Sequence, residues 1–215
     1  MEFLPKEIEK YSENHTSEES DVLKELNRET HLKVLIPRML SGHLQGKALN
    51  MFSNMIKPKN ILEIGTYTGY SAICMAEGLQ KDGKLITIDK NEELETMAKS
   101  YFKKAGYDSQ IEMVVGDATQ IIPSLNETFD LIFIDADKTN YSNYFDLTFN
   151  KLSKGGYFIA DNVLWSGKVT TEEANTDPDT KALVAFNEKV QNDPRVENIL
   201  FPIRDGLMIA RKISD

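Results

Sequence analysis

The spacing of apolar residues changes about a quarter of the way along the chain. In residues 1–56, stretches such as SDVLKELNRETHLKVL carry apolar side chains every three to four positions behind a Ser20–Asp21 cap. That period places them on one helix face. Pro37 and Gly42 interrupt the pattern, and a further helix is expected over residues 44–56. Five short apolar runs follow: Asn60–Ile64, Leu85–Ile88, Ile111–Val115, Leu131–Ile134 and Tyr157–Ala160. Helical stretches lie between them, at Ser71–Leu79, Glu92–Ala105 and Tyr141–Leu152. Apolar runs alternating with helices predict βαβ units and a parallel sheet covered on both faces. The tail differs. Asn198–Pro202 and Gly206–Lys212 are separated only by Ile203-Arg204-Asp205, which predicts a terminal antiparallel hairpin. The expected fold is α/β: a Rossmann-like, doubly wound, mostly parallel seven-stranded sheet with extra N-terminal helices.

Length and composition narrow the class. A chain of 215 residues fits one domain, which buries enough surface to fold without a disulfide or metal staple. The lone cysteine, Cys74, rules out an internal disulfide and sits on an apolar helix face, where it reads as core. The charged N-terminus lacks a secretory signal, so a cytoplasmic protein is expected. No run has the length of a membrane span. A net charge of −9 argues against a broad nucleic-acid footprint. The histidines, His15, His31 and His43, show no ligand spacing.

Chemistry concentrates at strand ends. Ile61-Leu-Glu-Ile-Gly-Thr-Tyr-Thr-Gly-Tyr-Ser71 reads as strand, tight loop and helix start. The spacing of Gly65 and Gly69 differs from the dinucleotide fingerprint, which excludes a nicotinamide dehydrogenase. Glu63 precedes the loop. Asp89 ends the next strand, where an acid can accept hydrogen bonds from a ribose. Gly116-Asp117-Ala118 follows the third strand, beside an expected adenine. Glycines close many strand–helix turns, but Asp89 at that place favours a nucleotide-like ligand. Glu63, Asp89 and Asp137 together favour a cationic, hydroxyl-rich one over a phosphate: the chemistry of S-adenosylmethionine.

The fourth run ends in Asp135-Ala-Asp137-Lys138 and the fifth in Asp161-Asn162. Consecutive strands of a doubly wound sheet usually adjoin, so Asp135, Asp161 and Asn162 can converge. Three oxygen donors without Cys or His suit magnesium, manganese or calcium rather than zinc. Either pair alone reads as helix capping. Two strand ends beside a cofactor loop favour a metal. Lys138 begins a helix and reads as a surface residue or a base. Trp165 either walls an acceptor or packs its loop. Tyr141 and Tyr144 share a helix face and read as packing.

The ordered pieces LEIGTYTGYS, ITIDKNEE, KKAGYDSQIE, FIDADKTNYSNYF, GGYFIADNVLWSGKV, NDPRVE and LFPIRDGLMIARKI run from about residue 38 to the C-terminus. Their combination resembles the cation-dependent O-methyltransferases, the family of caffeoyl-CoA O-methyltransferases, with catechol O-methyltransferase a more distant relative. The resemblance implies that Ser41, Glu63, Gly65, Thr66, Ser71, Asp89, Ala118 and Asp137 hold S-adenosylmethionine. It implies that Asp135, Asp161 and Asn162 hold the metal and that Lys138 is the general base. It also implies one methyltransferase domain over residues 1–215, in which residues 1–56 form a helical cap for acceptor site and homodimer. The expected reaction is methyl transfer to a hydroxyl of a catechol-like or phenylpropanoid substrate. Two other readings stand beside it: a hydroxylated uridine of transfer RNA as acceptor, and a non-catalytic S-adenosylmethionine-binding protein.

Overall fold

The computed structural model describes residues 5–215. The first four residues of the expected N-terminal helical region lie outside it. Seven strands form one sheet in the order β3-β2-β1-β4-β5-β7-β6, with helices around it. Its chain divides into two compact units, one of Lys6–Asp117 and one containing Ala118–Asp215. No helix among the described residues is long and apolar enough to cross a membrane.

The first unit runs α1 (Lys6–Asn14), α2 (Asp21–Lys33), α3 (Gly42–Ile56), β1 (Asn60–Ile64), α4 (Tyr70–Ala76), β2 (Lys84–Asp89), α5 (Glu95–Lys104) and β3 (Ile111–Val115). The side chain of Ser20 caps α2 by accepting the Leu23 amide. β1 and β2 pair in parallel, with Ile61 opposite Leu85 and Glu63 opposite Thr87. β1 is fully buried from Ile61 onward, so its apolar run needs no alternation. Glu63 is the exception, and its register partner is a hydroxyl residue. The Tyr101 hydroxyl donates to Glu29, tying α5 to α2. Cys74 is buried in α4, as its sequence neighbourhood implied, and burial pushes its thiol well up, which makes it inert.

The second unit runs α6 (Ala118–Ile121), β4 (Phe129–Ile134), α7 (Tyr141–Phe149), β5 (Leu152–Asp161), α8 (Glu173–Thr176), α9 (Pro178–Gln191), β6 (Val196–Phe201) and β7 (Leu207–Lys212). β4 and β5 pair in parallel, and the partnership of Ile134 with Ala160 sets their carboxyl ends side by side. β7 is antiparallel to both β5 and β6, the hairpin read from the tail. Phe145, Phe158, Phe186 and Tyr141 pack edge to face behind these strand ends, with centroids 5.1 Å apart for Phe145–Phe158 and 5.4 Å for Tyr141–Phe186.

Several boundaries depart from expectation; β5 starts at Leu152, five residues before the expected Tyr157. The helix expected over Tyr141–Leu152 stops at Phe149, because Leu152 pairs with Phe129 and the sheet takes it. The helix expected over Ser71–Leu79 covers Tyr70–Ala76, where the chain turns toward β2. Helix α9 had no counterpart in the reading, yet its signal is present. Asp177 caps it, accepting the Thr180 amide at 2.9 Å, Pro178 occupies its first position, and Leu183, Phe186 and Val190 recur at helical spacing.

Candidate active site

Ser41, Glu63, Gly65, Thr66, Ser71 and Asp89 all lie in the first unit. The loop after β1 starts when Gly65 donates its amide to the Ile88 carbonyl at 2.8 Å, and closes when Gly69 donates to Thr66 at 2.8 Å. Gly69 has φ 89°, and a Cβ there would meet the Phe102 ring at 2.5 Å. Glycine is therefore required on both conformational and steric grounds. Tyr67 also has positive φ, 51°, which costs on the order of 1 kcal/mol or more for a non-glycine residue. Two contacts hold it there. Its amide donates to Asp89 Oδ2 at 2.7 Å, and its hydroxyl donates to the Ile36 carbonyl at 2.9 Å. Asp89 Oδ1 accepts the Asn91 amide at 2.9 Å. Asp89 thus shapes the loop as well as standing at the end of β2.

Beneath the loop, Glu63 is fully buried. Its oxygens accept the Ser71 and Thr87 hydroxyls at 2.5 Å each, and Thr87 shares a 2.5 Å contact with the Thr66 hydroxyl. Ser41 is buried immediately before α3.

Ala118, Asp135, Asp137, Lys138, Asp161, Asn162 and Trp165 lie in the second unit. Lys138 is 7% exposed, which excludes the surface-lysine reading. Its Nζ donates to Asp135 Oδ1 at 3.1 Å, Asn162 Oδ1 at 2.7 Å and the Tyr141 hydroxyl at 2.7 Å. Tyr141 in turn donates to the Asp161 carbonyl at 2.9 Å. Burial pushes the Tyr141 phenol well up, so it stays a neutral donor. Asp161 is 2% exposed, and its Oδ1 accepts the Asn162 amide at 2.7 Å. Asn162 sits at φ 59°, the left-handed turn that swings its amide oxygen toward Lys138. Asp137 accepts the Tyr144 hydroxyl at 2.6 Å and the Asn140 amide at 2.5 Å. The Trp165 ring centroid lies 5.5 Å from Lys138 Nζ, and Ala118 is buried at the start of α6.

Asp135 and Asn162 oxygens therefore already meet on the Lys138 nitrogen. Among the described residues no three carboxylate, imidazole or thiolate side chains gather as a metal cluster. A cation here would use two carboxylates, one amide oxygen and oxygens from solvent or substrate. That donor set fits a hard octahedral ion. Sequence reasoning treated Tyr141 and Tyr144 as packing and passed over Tyr67 and Thr87. The available signal was spacing: Tyr141 follows Lys138 by three residues and Tyr144 follows by six, the same face of one helix. Nothing local marks Thr87, whose partnership with Glu63 depends on strand register.

The chain belongs to the O-methyltransferase family, whose sequence pattern matches residues 13–213. It is 32% identical over 209 residues to a probable caffeoyl-CoA O-methyltransferase of Dictyostelium discoideum, covering 95% of this chain and 90% of that relative. Among solved structures, the SAH-bound methyltransferase of Podospora anserina matches with TM-score 0.89 and 28% identity, covering 99% of this chain and 98% of that one. A Bacillus cereus O-methyltransferase in complex with SAH matches with TM-score 0.88 and 28% identity, over 95% and 96% of the two chains. The protein is an O-methyltransferase of the caffeoyl-CoA type.

Proposed function

We propose that the enzyme uses S-adenosylmethionine and a divalent cation, magnesium first among candidates, to methylate one of two vicinal hydroxyls on a small catechol-like or phenylpropanoid aromatic. The observation that carries this reading is the buried Lys138, whose Nζ meets Asp135 and Asn162 oxygens next to Asp161. Glu63, Gly65, Thr66, Ser71, Asp89 and Ser41, with Ala118 and Asp137, hold the methyl donor. Asp135, Asp161 and Asn162 hold the cation. When bound, the cation supplies Lewis acidity that lowers the acceptor hydroxyl's pKa and fixes its oxygen.

The acceptor oxygen's lone pair forms a bond to the methyl carbon. The carbon–sulfur bond breaks, and sulfur keeps the electron pair, leaving S-adenosylhomocysteine. The hydroxyl proton passes to the lone pair of Lys138 Nζ, kept as the neutral amine by a bound dication beside it and oriented from behind by Tyr141. Proton transfer to a positioned base contributes on the order of 100- to 10,000-fold. Holding the reacting oxygen and methyl in line contributes more, up to about 7–11 kcal/mol of the barrier.

The test is S-adenosylhomocysteine formation on catechols, caffeoyl esters and flavonoids, each with magnesium, with manganese and with a chelator. Cation-dependent turnover that disappears in Asp161→Ala supports the reading. Tight S-adenosylmethionine binding with no turnover of any small phenol defeats the small-aromatic acceptor and turns attention to hydroxylated RNA.

A further inference from the structure

The segment after β5 turns through backbone that side chains rarely adopt. Asn162, Trp165 and Ser166 have φ values of 59°, 47° and 54°, and Gly167 follows at 81°. Such backbone persists only where neighbouring groups over-determine it. Here they come from the turn between β6 and β7. Leu164 donates its amide to the Asp205 carbonyl at 2.9 Å, and Val163 donates to the Gly206 carbonyl at 3.2 Å. Gly206, at φ 87°, lies so close that a Cβ would stand 2.5 Å from Leu164 Cγ. The side chain of Asp205 makes the third contact, accepting the Ser166 amide at 2.5 Å on Oδ1.

That last contact falls on the residue directly after Trp165, at the corner where two successive non-glycine residues are left-handed. A carboxylate on a backbone N–H is a charge-assisted bond, stronger than a neutral one. The bond itself is exposed on the Ser166 side, while partial burial pushes the Asp205 carboxyl up and the Ser166 amide pulls it back. The indole stands 5.5 Å from Lys138 Nζ.

The geometry points to Asp205 as a positioning residue: through the Ser166 amide it holds the left-handed corner at Trp165, and so fixes the indole as a rigid wall beside Lys138 for a flat aromatic acceptor. The acceptor half of this inference rests on the proposed small-aromatic acceptor, and the clamp half does not.

Trp165 is the single tryptophan of the chain, so its emission reports the wall directly. Emission maximum, anisotropy and acrylamide quenching are measured on the full-length wild type, Asp205→Ala and Asp205→Asn, without substrate. Asparagine keeps an oxygen for the Ser166 amide and alanine does not. Asp205→Ala is expected to raise the quenching constant about twofold or more and to lower anisotropy, with Asp205→Asn near wild type. Unchanged quenching in a folded Asp205→Ala overturns the clamp. If far-UV circular dichroism shows that the alanine variant does not fold, Asp205→Glu replaces it, since it displaces the acceptor by one methylene. Equal quenching in the glutamate and asparagine variants then overturns the clamp.

With a phenol that turns over, Asp205→Ala is expected to raise the acceptor KM about tenfold, the loss of one charge-assisted bond, and to leave the S-adenosylmethionine KM within about twofold. Equal rises in both KM values overturn the acceptor role. If no phenol turns over, the small-aromatic reading fails while the fluorescence result still decides the clamp.

Discussion

Lys138 and Asp89 resemble each other in one respect: each holds its neighbours by several hydrogen bonds before any ligand arrives, Lys138 by donating to side-chain oxygens and Asp89 by accepting backbone N–H groups. Lys138 joins Asp135, Asn162 and Tyr141. Replacing it with methionine keeps the volume and removes the proposed base. The kcat of Lys138→Met is expected to fall on the order of 100- to 10,000-fold, with S-adenosylmethionine affinity by calorimetry within about twofold of wild type. A parallel loss of donor affinity would show that Lys138 supports the cofactor instead. Asp89 accepts the Tyr67 and Asn91 amides. Asp89→Ala releases a strained loop and removes an acid expected to face a ribose. Donor affinity is expected to weaken about tenfold or more, consistent with losing hydrogen bonds to a charged group. Titration calorimetry that shows wild-type affinity would remove Asp89 from the cofactor site.

Between elements, fit depends on closeness that only small residues allow. Gly78 follows α4, and a Cβ there would stand 2.3 Å from the Ser53 carbonyl carbon in α3. The obstacle is backbone, so it cannot rotate away. Gly78→Ala is expected to lose about 1–3 kcal/mol of stability, read as a lower urea midpoint at unchanged slope. The turn between α9 and β6 is closed by charge. Asp193 accepts the Arg195 amide at 2.9 Å and its guanidinium at 2.9 and 2.6 Å, while the guanidinium lies 3.8 Å over the Phe149 ring. Hydrogen bonds from the Arg195 side chain hold the Asp193 carboxyl below the usual range against the opposing effect of burial. A lowered folded-state pKa gives stability that is present above the unfolded carboxylate's pKa and is lost as pH falls through the folded value. Asp193→Asn is therefore expected to be less stable at neutral pH by about 1 kcal/mol, because Arg195 is partly solvent-screened, and to match wild type in strong acid. A stability gap that persists at the acid end would assign it to packing rather than to charge.

At the scale of the whole molecule, a net charge of −9 bears on the acceptor. Turnover of a small phenol is expected to change less than about twofold between roughly 50 and 200 mM salt, whereas several phosphate contacts would weaken binding on the order of 1,000-fold. A steep salt dependence would favour RNA. The homodimer implied by family resemblance is a proposal that Leu32, Leu35 and Met55 of the first unit, 71%, 94% and 76% exposed, allow to be tested. Sedimentation velocity is expected to show twice the 24.4 kDa chain mass, and Leu35→Asp to shift the population toward monomer. A monomeric wild type at micromolar concentration would leave those side chains needing another account.

Strand placement was legible in the linear pattern. Asn60–Ile64 and Ile111–Val115 read from apolar runs coincide with β1, buried from Ile61 onward, and with β3, the edge strand whose Glu112 is exposed between buried Ile111 and Met113. The tail hairpin was legible too, from a turn between two apolar runs. The chemistry of the site was legible in part, since acids at strand ends announce themselves by type and position. Register and distance were not. That Glu63 meets Thr87 follows from pairing between two strands, and that Lys138 is buried follows from Tyr141, Asn162 and Asp135 closing around it. Helix α9 was encoded by Asp177, Pro178 and its apolar spacing, but went unread within a polar stretch. The sequence by itself determined the element types and the kinds of side chain at each strand end, because both rest on local period and residue chemistry. Tertiary structure alone decided burial, left-handed corners and which side chains share a proton or an ion, because those depend on residues far apart in the chain reaching the same few ångströms.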